Sequence, residues 1–295
     1  MTDAGEAPHY FPPGSSMARR VHGERVVGLL YGQRALLIGA LDPLTYTGTV
    51  LASKAAARPF ARLVHTAKVQ EAVLLGTRDE ADEALASVRR LHERVEGNLS
   101  EPVGRHPAGT PYSALDPQLM LWTLAVIADS GRAIYEAMVR PLSEVEREGL
   151  WQDYLRFGEL FGMPPEVAPA TYPEFHAWWE ERMASPDLEA TPHALHVAPR
   201  VAFSPPVPAA ARGGLALQNL VIKGTLRPRV REIFGIEWTT AHEAAFRVFA
   251  LEHRVGRHLL PRRVRRGRND FFFDVVAHSE RIRGGTKTVD LPVLG

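Results

Sequence analysis

Residues 58–97 read RPFARLVHTAKVQEAVLLGTRDEADEALASVRRLHERVEG, two helical patterns on either side of Gly76–Thr77. In the first, Arg62, His65 and Thr66 stand at i, i+3 and i+4 and share one helix face, which Val69 and Val73 continue. The second begins near Thr77 or Asp79 and carries Leu85, Val88, His92 and Val95 on one stripe. His92 therefore occupies the apolar seam of an amphipathic helix. A hairpin of two antiparallel helices with so short a turn is predicted to bring the Arg62/His65/Thr66 face towards His92. On spacing alone, such a histidine is ordinarily a core residue and such an arginine a surface or ion-pairing one. A mid-helix threonine often only bonds back to the preceding turn.

The helical period continues in both directions. Ser15 or Ser16 can cap a helix over 17–40 rich in Val and Leu, in which Gly28, Gly32 and Gly39 permit close backbone approach. Asp42-Pro43 starts another over 44–57. Asn98 to Tyr112 reads as a Pro/Gly-rich loop. Asp116-Pro117 then opens a helix that is apolar almost all round and is predicted to be the buried central one. Ser143 with Glu146 forms a capping box, a further helix begins at Tyr172-Pro173, and Thr239 or Thr240 caps the last long helix, 241–258. With no βαβ alternation and no internal repeat, the fold class is all-α: a single multi-helix globular domain with a buried central helix. The expected division is a flexible arm over 1–16, the helical domain over 17–258 and a basic tail over 259–295.

Composition narrows the chemistry. The 295 residues contain no cysteine, which excludes disulfides, thiolate nucleophiles, iron–sulfur clusters and thiolate-ligated haem. A net charge of +1 argues against a dedicated nucleic-acid binder. No stretch approaches the roughly twenty apolar residues of a spanning helix, and the N-terminus lacks the layout of a secretory signal, so a cytoplasmic location is expected. Residues 254–268 hold seven arginines in fifteen positions. The ordinary reading is a solvated tail offsetting acidic helices; an anionic partner is the alternative. The apolar block FFFDVV at 271–276 is expected to dock on the body or on a second subunit.

The Arg62-x-x-x-Thr66 element followed by His92 resembles the haem-dependent oxygenase family that includes the fungal MpaB oxygenase and the bacterial latex-clearing proteins (rubber oxygenases). The Asp116-Pro117…Trp122 passage is similar to one that follows the haem histidine in that family. The resemblance covers roughly residues 17 to 200. It implies haem b in a pocket between helices, with His92 as proximal iron ligand and Arg62 and Thr66 as catalytic residues on the distal side. His65 takes the place where latex-clearing proteins can carry a distal lysine, so it is a candidate second ligand. Trp122 is a candidate for the cofactor pocket, beside its ordinary role in core packing. The resemblance also implies a small apolar, isoprenoid-like substrate and dioxygen, with oxidative cleavage of a C=C bond. The family's helix near 44–57 can supply a glutamate base, but this chain has no carboxylate between Asp42 and Glu71. That departure, with the second histidine, keeps open a non-catalytic haem carrier or sensor. A cofactor-free helical interaction protein using the arginine tail is the third reading.

Overall fold

The structure, a computed structural model, describes residues 8–51 and 59–284. The domain is helical throughout, apart from one small two-stranded ribbon, and its centre is a pair of long helices. α1 (Met17–His22) and α2 (Arg25–Gly39) replace the single helix expected over 17–40. The apolar period runs through the junction, but Gly23 ends the first helix with its N–H on the Arg19 carbonyl. Glu24 is buried there because it holds two arginines from the far end of the chain. Asp42 then caps α3 (Pro43–Leu51), accepting from the Thr45 N–H at 2.8 Å. The remainder of that expected helix, from residue 52 on, lies outside the described residues.

α4 (Pro59–Leu75) and α5 (Arg78–His92) form the hairpin read from the sequence. Thr77 and Glu80 make a reciprocal capping box at the start of α5. Beyond it, β1 (Glu96–Asn98) pairs antiparallel with β2 (Pro111–Ser113), so the expected loop is bracketed by a ribbon with Gly97 opposite Tyr112. α6 (Pro117–Met138) starts on Asp116, whose carboxylate accepts from the Gln118 and Leu119 N–H groups. α2 lies along α6, and their facing residues make the centre of the core. α7 (Glu144–Leu160) and α8 (Tyr172–Ala184) each begin with a capping box and stack Trp151 on Phe175 at 3.9 Å between ring centroids. α9 (Pro192–Phe203), α10 (Arg212–Thr225), α11 (Pro228–Ile233) and α12 (Thr240–Gly256) complete the body, followed by α13 (Arg262–Arg265) and α14 (Asp270–Gly284).

The two chain ends are more tightly held than their composition suggests. Of the arm expected over 1–16, residues 1–7 lie outside the described residues. From Pro8 onward it packs on the hairpin turn: the Arg78 N–H donates to the Pro8 carbonyl, the His9 ring bonds the Gly76 carbonyl at 2.6 Å, and Phe11 is buried. Apolar burial of Phe11 and these bonds offset the ordering cost of the segment. The arginines at 254–268, expected as a solvated tail, act largely as internal staples. Arg257 and Arg266 pair with buried Glu24 at 2.7 and 2.9 Å, Arg268 with Glu80 at 3.0 Å, and Arg254 donates to the carbonyls of Glu136 and Ala137. The block at 271–276 sits in α14, which docks on α4. Residues 285–295 of the expected tail lie outside the described residues.

Candidate functional site

The first turns of α4 present Arg62, His65 and Thr66 on one side, as the i, i+3, i+4 spacing requires. The α5 stripe presents Val88, Leu91 and His92. Between them lies a cavity of about 330 Å³ that all four polar residues front. Tyr112 of the ribbon, Met120 and Thr123 of α6 and Phe157 of α7 close the other sides. The sequence reading thus brought the correct helix faces together. Trp122 is elsewhere: it is buried, donates from Nε1 to the Gly39 carbonyl at 3.2 Å, and lies against Trp179. It contributes to the wall of a second, larger cavity and not to the His92 cavity.

His92 is half-buried, and burial lowers its pKa, so the neutral imidazole is the stable form. Its Nδ1 is buried without a hydrogen-bond partner among the described residues. A buried nitrogen left unpaired is costly, by about 1–3 kcal/mol. Because Nδ1 is closed off, a group bound in the cavity would meet the other ring nitrogen, Nε2. Neutral imidazole is the form that ligates iron. The donor chemistry at this cavity therefore fits a haem: a neutral imidazole fronting a mostly apolar cavity, with a cationic guanidinium at the rim.

Arg62 faces both cavities, which accounts for its accessible surface, yet the protein around it lowers its pKa through desolvation. It feels Tyr46 of α3, whose own pKa burial pushes up to about 12 against the opposing effect of Arg62. The Tyr46 hydroxyl lies 2.9 Å from Nδ1 of His193 on α9, and burial lowers the His193 pKa. This neutral phenol–imidazole pair fronts the larger cavity. No spacing rule links residues so far apart in the chain, and the sequence reading missed both. It missed Gln70 as well, which accepts from the Tyr31 hydroxyl and fronts both cavities.

The larger cavity measures about 790 Å³ and is predominantly apolar, at the upper end of the usual range for small-molecule sites. Thr45, Arg62, Thr66, Gln70, Thr123 and Ile127 border both cavities, so the two adjoin across a partition centred on the Arg62 face.

An all-helical domain with a neutral histidine in one cavity and a large apolar chamber beside it is the class that fold and site define. The sequence model of the family described as ER-bound oxygenase mpaB/B'/Rubber oxygenase, catalytic domain, matches residues 19–255, and the chain belongs to that family. No curated protein and no solved structure matches the chain. Among the described residues no helix is long and apolar enough to cross a membrane.

Proposed function

We propose that this protein is a haem b-dependent oxygenase that cleaves a C=C bond of an apolar, isoprenoid-like substrate with dioxygen. The observation that carries the reading is the convergence of Arg62, His65, Thr66 and the unpaired, neutral His92 on one cavity that adjoins an apolar chamber. His92 would hold the haem iron. The chemistry a haem supplies when bound is activation of dioxygen, whose two oxygen atoms end in the two carbonyl products of the cleaved double bond.

The chain's own residues account for the remainder. The apolar chamber takes the substrate out of water and sets its alkene against the partition. Arg62, on that partition, directs N–H donors at an oxygen-bearing group, and Thr66, one turn further along α4, adds a hydroxyl. In the low-dielectric surroundings that depress the Arg62 pKa, such donors act more strongly than in water. A cytoplasmic location goes with this reading and is compatible with a chain that has no cysteine.

A second reading, a haem carrier or sensor without catalysis, draws on His65, which fronts the same cavity as His92. Two imidazole ligands would leave no position open for dioxygen. The cofactor-free interaction reading loses its main support because the tail arginines named above are engaged internally.

Absorption spectra of the purified protein before and after haem reconstitution, oxidised and dithionite-reduced, test these readings. A Soret band that disappears in His92→Ala is expected. No Soret band after reconstitution, or full haem retention in His92→Ala, would overturn the assignment. A six-coordinate reduced spectrum that becomes five-coordinate in His65→Ala would favour the carrier.

A further inference from the structure

The larger cavity is lined along the length of α2. Its wall follows α2 from Arg25 to Gly39 and on to Ala40. At 1.5 Å per residue, the fifteen residues of this helix span about 22 Å. The two ends of the chamber differ in chemistry. The end at Ala40 carries the Tyr46–His193 pair, a hydroxyl and an imidazole set among apolar walls. The end at Arg25 and Gly28 lies against the start of the C-terminal segment: Arg25 donates to the Arg268 carbonyl, and Gly28 lies against the Asn269 side chain. There Phe272 and Phe273 front the chamber, and Phe273 is 8% exposed.

These phenylalanines belong to α14, beyond residue 255, where the family domain ends. α14 is nevertheless held along α4 from Phe60 to Glu71 and runs antiparallel to it. Glu71 accepts from the Asn269 N–H and side-chain amide, both at 2.8 Å. Lys68 pairs with Asp274 at 2.6 Å. Glu280 accepts from the Phe60 and Ala61 N–H groups at 3.2 and 2.7 Å, at the start of α4. Three attachments at successive levels fix the depth at which Phe273 meets the chamber.

We propose that α14 is the length gauge of this chamber. Its occupant is a single linear isoprenoid chain with an oxygen-bearing end. That end rests on Tyr46 and His193, the chain lies along α2, and the far end stops against Phe273. A stop measures length only if the other end is fixed, and the polar pair is the feature that fixes it. The tail-end stop is thus supplied by a segment outside the domain shared with the family. This inference rests on the apolar-substrate reading above but not on the haem.

The test is displacement of Nile red from the full-length protein by geraniol, farnesol and geranylgeraniol, repeated in His92→Ala so that binding is read without a haem. Wild type is expected to favour one length. Phe273→Ala should move the preference to the next longer alcohol and Phe273→Trp to the next shorter, each by about tenfold or more, since even a single methylene in an apolar pocket changes discrimination by about that factor. Tyr46→Phe should weaken farnesol several-fold yet leave farnesene, its hydrocarbon counterpart, unchanged. An unchanged length order in both Phe273 variants would overturn the gauge, and so would failure of every alcohol to displace the dye. If Phe273→Ala does not fold by circular dichroism, the Trp variant decides alone. A shifted length order without any Soret band would sink the haem reading and leave the gauge standing; a Soret band with an unshifted order would do the reverse.

Discussion

The carboxylate of Glu71 accepts two hydrogen bonds from Asn269, each 2.8 Å long, across 198 residues of sequence. Both residues are buried, at 3% and 0% exposure. Room for the pair exists because residue 28 is glycine: a Cβ there would collide with the Asn269 amide and lie 3.1 Å from Glu71 Oε1. Glu71→Ala leaves the buried Asn269 donors unpaired. Such a loss is expected to cost about 1–3 kcal/mol in urea unfolding, with earlier proteolytic release of the C-terminal segment. Unchanged unfolding and unchanged proteolysis would show that α14 is held without this bond.

The buried pair Arg34–Asp129 gives the sharpest expectation for stability. Arg34 Nη1 lies 2.8 Å from Asp129, and both side chains are 3% exposed. Arg132 meets the same carboxylate at 2.7 Å. Burial raises the Asp129 pKa, but the two arginines outweigh it and bring it down to about 2. Asp129→Ala strands a buried guanidinium and is expected to cost about 3–5 kcal/mol in urea denaturation. The double variant Arg34→Met/Asp129→Leu should recover part of that loss, because it removes both desolvated charges together. A double variant no more stable than Asp129→Ala would contradict this account.

His22 makes stability depend on pH. Its Nε2 is 2.7 Å from the Tyr154 hydroxyl, its Nδ1 is buried without a partner among the described residues, and burial lowers its pKa from 6.5 to about 3. The unfolded chain therefore takes up a proton near pH 6.5 that the folded one refuses until about pH 3. The stabilisation is complete above the unfolded pKa and is lost as pH falls towards the folded one. Each pH unit in this window removes about 1.4 kcal/mol. Urea midpoints of wild type and His22→Gln, compared from neutral pH down to about pH 5, above the carboxylate range, isolate the effect. The wild type should lose stability faster on acidification; parallel curves would rule the mechanism out.

Arg62 and His92 separate by readout. Arg62 borders both cavities, whereas His92 belongs to the smaller one alone. Arg62→Ala is expected to keep the Soret band and to reduce oxygen-consuming turnover of an isoprenoid substrate by about a hundredfold, the usual scale for removing one preorganised donor. An oxygen electrode together with the absorption spectrum checks both. Loss of the band in Arg62→Ala would assign this arginine to holding the cofactor instead.

What could be read in advance was what is local. The capping box at Ser143/Glu146 and the Asp116-Pro117 start each involve residues within one helical turn, so sequence proximity and spatial proximity coincide. Arg62, His65 and Thr66 were grouped correctly because the helical period alone decides which face they share. Gly23 was not read as a break, because the reason for it, Glu24 buried beneath Arg257 and Arg266, lies at the other end of the chain. The arginine run could not be assigned either. A charge in sequence carries no record of its partner, and these partners are Glu24 just before α2, Glu80 of α5 and carbonyls of α6.

By itself the sequence determined an all-helical domain, the hairpin about Gly76–Thr77, the grouping of the three α4 residues and the family of oxygenases to which the chain belongs. These follow from periodicity, caps and motif order, all of which act over a few residues or along one line. The tertiary structure decided that His92 shares a cavity with that α4 face, that Trp122 lines a different chamber, that Tyr46 meets His193, and that α14 packs along α4. These depend on which apolar surfaces bury one another, a property of the whole packed chain that no local pattern encodes.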